Sequence, residues 1–225
     1  MIMKSCAFFD LDGTILNIKS MFSFMHFFWT NPRVYGEKLG KEKYNLYMEK
    51  IDNFYKKNKS REEINQNFYL NFKGISVSLV DEIGHSWWKK IVSDDDLFNS
   101  NALNLIDAHK SKGVEIVLVT GSMNPCVKPI KQYLNIEHSL VTNLSVNNDK
   151  YTGEIIGGVM IGDGKAIAVK EFARNNGISL NNSFSYGDDY SDIPMMKLTK
   201  NSIAVNPETR LRSYAKLNNW SIIDN

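Results

Sequence analysis

Apolar and polar positions along the chain change rhythm twice. Cys6, Ala7, Phe8 and Phe9 form an uninterrupted apolar run that stops at Asp10, the pattern of a strand buried on both faces. After Leu16 the spacing becomes helical and stays helical for about 75 residues. Met21 to Trp29 is an aromatic-rich run that Asn31-Pro32 breaks. Tyr35, Leu39, Tyr44, Tyr47, Met48, Ile51 and Tyr55 then recur at helical spacing through a stretch rich in lysine and glutamate. Ser60-Arg61-Glu62-Glu63 has the capping-box form and predicts a helix carrying Ile64, Phe68 and Tyr69. Val77 to Ile91 predicts a further helix with Val80, Ile83, Trp87 and Trp88 on its apolar side. No strand pattern interrupts residues 17–95, which read as an all-helical insertion.

From Leu97 strands and helices alternate again. Val114 to Val119 predicts a strand ending in Thr120-Gly121-Ser122, with Pro125 in the first turn of the next helix. Ser139 to Val146 and Tyr151 to Ile156 are β-rich runs around Asn147-Asn148-Asp149, a hairpin signal. Lys165 to Asn176 reads as a helix closed by Gly177. Short strands follow at Phe184 to Tyr186, Ile203 to Val205 and Trp220 to Ile223, with a helix from Pro207 to Leu217. The fold class is therefore α/β: a parallel-sheet core of residues 1–16 and 96–225, with the helical segment 17–95 inserted after the first strand.

Composition narrows the function. The 225 residues are 43% hydrophobic and 12% aromatic, enough for a sizeable core, and the formal net charge is +2 without a dense basic block. Nucleic acid is thereby disfavoured as the principal partner, because backbone binding needs a concentrated basic face. The two cysteines, Cys6 and Cys126, form no Cys-x-x-Cys, and the four histidines are scattered. A disulfide framework and a thiolate zinc site are both disfavoured. No stretch approaches the roughly 18 apolar residues of a spanning helix, and Asp10 ends the N-terminal apolar run too early for a secretory signal. These features predict a soluble cytoplasmic protein with no transmembrane segment.

Candidate chemistry lies at three strand ends. Asp10 and Asp12 follow the first strand, Thr120-Gly121-Ser122 the second, and Asp188, Asp189 and Asp192 the strand at Phe184 to Tyr186; Lys165 opens a helix between the last two groups. In a parallel sheet such ends converge on one crevice. Asp and Gly after a strand are also ordinary turn residues, so Asp10-Leu11-Asp12-Gly13 alone does not decide the matter. Several carboxylates without Cys or His select a hard cation such as Mg²⁺. A hydroxyl at Thr120, the backbone N–H groups after it and the Lys165 ammonium supply donors for an oxyanion. Together they read as phosphoryl transfer. Gly162-Asp163-Gly164-Lys165 is not a nucleotide-type phosphate loop, since Val159 stands at the first glycine and Ala166 at the hydroxyl position.

These four motifs in order resemble the haloacid dehalogenase (HAD) superfamily of phosphohydrolases, closest to its phosphoserine phosphatase-like branch with a helical cap. The resemblance covers nearly the whole chain: Asp10-Leu11-Asp12-Gly13-Thr14, the strand ending in Thr120, Lys165, and Gly187-Asp188-Asp189-Tyr190-Ser191-Asp192. It implies a Rossmann-like core, with Asp10 as nucleophile and Asp12 as general acid and base. It further implies Mg²⁺ held by Asp10, the Asp12 carbonyl and Asp188, supported by Asp192, with Thr120, Gly121 and Lys165 on the phosphoryl oxygens. The implied activity is hydrolysis of a small phosphorylated metabolite, a lipid-linked phosphate being less favoured. Two departures stand out. Asp189 replaces a small residue, and either joins the metal shell or, the preferred reading, faces solvent. The segment Asn17-Ile18-Lys19-Ser20 lacks the acid with which phosphoserine phosphatases read an amino group. A phosphotransferase or mutase on the same fold and a non-catalytic binding protein are the alternatives. The aromatic runs Met21 to Trp29 and Trp87-Trp88 are expected mainly to pack the cap.

Overall fold

The computed structural model describes residues 4–224. Its strands are β1 (Cys6–Phe9), β2 (Glu115–Met123), β3 (His138–Asn147), β4 (Lys150–Ile156), β5 (Phe184–Gly187), β6 (Asn201–Val205) and β7 (Ser221–Ile223). They form one sheet in the order β4-β3-β2-β1-β5-β6-β7. Only β3 and β4 pair antiparallel; the other neighbours are parallel. Asn148 and Asp149 turn that hairpin with φ of 48° and 59°, the left-handed conformations a two-residue loop requires. The chain builds outward from β1 on one side and returns to build the other, so the carboxyl ends of β1, β2 and β5 meet where the winding reverses.

Burial on both faces explains the unbroken apolar strands. Ala7 and Phe9 of β1 join Ile116 and Leu118 of β2 in one cluster, while Cys6, Phe8, Val117 and Val119 enter a second on the opposite face. Phe9 stacks on Tyr186 with ring centroids 4.0 Å apart, tying β1 to β5.

Five α-helices lie between β1 and β2: α1 (Ser20–Thr30), α2 (Glu37–Lys56), α3 (Arg61–Tyr69) and α4 (Val77–Ile91), then α5 (Ser100–Ser111), which leads back into the sheet. The capping box at α3 forms as expected. The Glu63 N–H donates to the Ser60 hydroxyl (3.1 Å) and the Ser60 N–H to the Glu63 carboxylate (3.0 Å). Phe24, Phe28, Phe72 and Trp87 are fully or almost fully buried and pack ring against ring. They belong to the same apolar cluster as Phe9 and Leu118, so helical segment and sheet share one continuous core. Close approach of α4 to α6 (Asn124–Tyr133) depends on Gly84, where a Cβ would lie 2.4 Å from the Pro125 carbonyl oxygen.

Element boundaries shift in two informative places. β2 continues past Thr120 to Met123, and its pairing with β3 slips between those residues. α7 (Asp163–Asn176) starts two residues before Lys165 and closes at Gly177, which has φ of 67°. Short α8 (Ile193–Met196) and α9 (Thr209–Leu217) complete the other side. Among the described residues no helix is long and apolar enough to cross a membrane.

The shared core gives a stability prediction. Phe24→Ala empties a fully buried site and should lower unfolding free energy by about 3–5 kcal/mol in urea titration. Leu46→Ala, at a position 66% exposed, should change it by less than about 0.5 kcal/mol.

Candidate active site

Asp10 follows β1 directly and is held by its own N–H, which donates to the Tyr186 carbonyl at 2.9 Å. Three residues on, the chain turns through Gly13, whose φ of 104° suits glycine. The missing side chain matters as much: a Cβ there would lie 2.2 Å from the Asp188 carboxylate. The turn closes with the Gly13 N–H on the Leu16 carbonyl (2.7 Å), and the Thr14 hydroxyl donates to Asp188 at 3.2 Å. At the end of β2 the Ser122 N–H donates to the Thr120 hydroxyl oxygen (3.1 Å), leaving the Thr120 O–H as a donor.

Lys165 joins the strand ends. Its almost fully buried ammonium donates to one oxygen of Asp10 and to Asp192 at 2.7 Å. Gly164 permits this position, because a Cβ would collide with the Val159 carbonyl at 1.9 Å. Burial alone would lower the Lys165 pKa, but the flanking carboxylates of Asp10 and Asp192 raise it, so the lysine stays charged. Asp192 also accepts the Asp189 N–H at 3.1 Å. Asp10, Asp12, Thr120, Gly121, Lys165, Asp188, Asp189 and Asp192 thus line a single cavity of about 60 Å³. The strand ends that the sequence singles out converge there.

The electrostatics mark this cavity as short of positive charge. Burial pushes the Asp188 carboxyl up to about 8, with Asp10 and Asp192 adding repulsion and Lys19 offsetting part of it. Burial raises Asp12 to about 6; the Ser20 hydrogen bond and Lys19 oppose that rise and Asp10 reinforces it. Carboxylate oxygens of Asp10, Asp188 and Asp192 lie within 4.8 Å of one another, all buried. An oxygen-only, anionic donor set fits a hard divalent cation, and the hydrogen-only face of Gly13 leaves room for Asp188 to reach it.

Several residues at this site carried no motif. The Lys19 ammonium donates to the Asp12 carbonyl at 2.7 Å and lies 3.5 Å from Asp188. Arg61, in the first turn of α3, pairs with Asp189 at 2.5 Å and donates to the Ser191 hydroxyl at 3.3 Å. Asp189 is therefore not a bare solvent-facing acid, because Arg61 reaches down to it from the helical segment. That ion pair holds the Asp189 carboxyl below its ordinary range despite burial. A cation at a helix N-terminus opposes the helix dipole, and this was the one available signal for Arg61. Met21 and Phe22 of the aromatic run border the site, whereas Phe24, Met25, Phe28 and Trp29 pack the core.

The chain belongs to the haloacid dehalogenase-like hydrolase family, which matches residues 7–197. A probable phosphatase of Mycobacterium tuberculosis is 29% identical over 220 residues, covering 98% of this chain and 75% of that protein. A phosphoserine phosphatase of the same organism is 28% identical, covering 99% of this chain and 71% of the relative. A solved structure of unknown function from Bordetella pertussis superposes with TM-score 0.85 at 22% identity over 99% of both chains. A phosphoserine phosphatase in its apo form reaches TM-score 0.68 at 21% identity, covering 98% of this chain and 93% of that one. These solved structures bear on the fold, which is that of the HAD proteins, with a mostly parallel seven-stranded sheet and an N-terminal helical region.

Raised carboxyl pKa values dictate a pH response. The native state binds more protons than the unfolded chain between the ordinary carboxylate range and the Asp188 value near 8, so metal-free stability should fall as pH rises through that window. Mg²⁺ should reverse this, raising Tm most at about pH 8 and above, where no proton competes for Asp188. Thermal unfolding in EDTA and in Mg²⁺ across pH 5 to 9 checks both signs; a flat difference between the two series would contradict them.

Proposed function

We propose that the protein is a Mg²⁺-dependent phosphatase that hydrolyses a small phosphomonoester through an aspartyl-phosphate on Asp10. The observation carrying this reading is the buried meeting of Asp10, Asp188, Asp192 and Lys165 around a cavity that Asp12 and Thr120 also line. Names of relatives in the same family, a probable phosphatase and a phosphoserine phosphatase, support it.

Mg²⁺ would be held by Asp10, the Asp12 carbonyl and Asp188, with Asp192 in support, and supplies positive charge against the phosphoryl oxygens. Lys165 fixes one oxygen of Asp10; the other attacks phosphorus as the bond to the leaving oxygen breaks. The Thr120 hydroxyl, the Gly121 N–H and the Lys165 ammonium hold the phosphoryl oxygens as charge redistributes. Asp12, with its pKa raised to about 6, gives its proton to the departing alkoxide. It then takes a proton from the water that attacks the aspartyl-phosphate, releasing inorganic phosphate and restoring Asp10. The core of residues 1–16 and 96–225 carries this chemistry, and the helical cap of 17–95 covers the site and reads the leaving group.

Phosphate release from a panel of phosphomonoesters, including p-nitrophenyl phosphate, tests the proposal. Turnover should require Mg²⁺, vanish with EDTA and drop at least about 10³-fold in Asp10→Asn. Release that survives Asp10→Asn or EDTA would overturn it. Phosphate transfer seen only when an acceptor alcohol is added would favour a phosphotransferase.

A further inference from the structure

β2 and β3 lose register beside the acid cluster. Thr120 pairs with Val141 and Met123 with Thr142, so Gly121 and Ser122 are extra residues on one strand. Such a slip takes backbone groups out of the ladder and re-aims the side chains around them. The peptide unit joining Gly121 to Ser122 finds its partners elsewhere, one on each side. Its N–H donates to the Thr120 hydroxyl oxygen at 3.1 Å. Its carbonyl accepts from two residues of α3, the Tyr69 hydroxyl at 2.5 Å and the Asn65 amide at 3.3 Å.

A carbonyl can only accept, so Tyr69 O–H and Asn65 Nδ2 are the donors. Four residues apart, they share one face of α3. Tyr69 is fully buried and Asn65 is 3% exposed, so water does not compete for these bonds. Gly121 lets the helix approach this closely, since a Cβ there would lie 3.1 Å from the Ile161 side chain and 3.3 Å from Asn65 Nδ2. The arrangement leaves Asn65 Oδ1 buried without a partner. Flipping the amide would turn that oxygen onto another acceptor, so α3 tolerates one unmet group and keeps two donors on one carbonyl.

The carbonyl and N–H of a trans peptide point in opposite directions, and this peptide is trans. Fixing the Gly121 carbonyl therefore fixes the Ser122 N–H, which occupies a lone pair of Thr120 Oγ1. The Thr120 proton is then turned away from Ser122, and Thr120 lines the inner cavity with Asp10. We propose that Tyr69, assisted by Asn65, is a positioning residue for phosphoryl binding, an assignment that rests on the phosphatase reading above. Tyr69 O–H to the Gly121 carbonyl, Ser122 N–H to Thr120, and Thr120 O–H to a phosphoryl oxygen form one chain. Each link polarises the next in the same sense, so Tyr69 orients and strengthens the Thr120 donor without touching substrate.

A double-mutant cycle in Mg²⁺ tests it, read as kcat/KM for p-nitrophenyl phosphate and as orthovanadate binding by titration calorimetry. Tyr69→Phe keeps the ring and removes only the donor, and should cost about 10-fold in both readouts. Thr120→Val should cost about 10²-fold. In the Thr120→Val background, Tyr69→Phe should change either readout by less than about 2-fold, because no hydroxyl remains to be aimed. Asn65→Leu should show the same pattern at smaller amplitude, and it carries the cycle should Tyr69→Phe not fold. Wild-type values in Tyr69→Phe, or losses that simply add in the double variant, would overturn the positioning role and leave the phosphatase reading standing. A folded wild type that hydrolyses no phosphomonoester in Mg²⁺ would overturn both.

Discussion

The bridge from Lys165 to Asp10 and Asp192 is the constraint on which the rest of the site depends. Three carboxylates buried within reach of one another repel strongly where water is excluded, and the sheet brings them there by placing the ends of β1 and β5 side by side. One ammonium, delivered from the first turn of α7, offsets part of that repulsion and fixes which oxygen of Asp10 stays available. The offset is incomplete, as the raised Asp188 and Asp12 carboxyls record. What stability the cluster forgoes, the shared aromatic core must supply. The site is thus left needing further positive charge, which a divalent cation would supply against the carboxylates and against the oxygens of a phosphoryl group alike.

Lys19 and Arg61 show how the helical segment joins this balance. Lys19 lies just before α1 and reaches the Asp12 carbonyl and Asp188; Arg61 descends from α3 to Asp189. Both ties cross from helices to strand ends, so the segment that covers the site is electrostatically coupled to the acids beneath it. The same helices place Met21, Phe22, Ile64, Asn65 and Phe68 beside Asp12. Asp12 borders both the cavity at the strand ends and the space beneath these helices.

Much of this was legible in the residues. Uninterrupted apolar runs revealed strands covered on both faces, and Asn148-Asp149, Gly177 and the Ser60–Glu63 box gave local turn and cap geometry that tertiary packing did not override. Asp10, Asp12, Thr120 and Asp188 stood out as polar groups at the ends of apolar strands, and Lys165 as a lysine opening a helix between them, but only the four groups taken together and in order pointed to one site. The remaining residues were hidden for physical reasons. Asn65 lies within an ordinary amphipathic helix, and its unmet oxygen exists only once Gly121 is placed against it. Asp189 appeared free because its partner is more than a hundred residues away along the chain. Continuity of the core across helices and sheet could not be read from periodicity, which reports which face is apolar and not what covers it.

The most direct test of the account is to find the phosphate on the nucleophile. Enzyme turning over its best phosphomonoester in Mg²⁺ would be quenched in acid, digested and searched for covalently bound phosphate by mass spectrometry. The account predicts an acid-stable, alkali-labile phosphate on the peptide containing Asp10, absent from Asp10→Asn. Phosphate on any other side chain during turnover would contradict it.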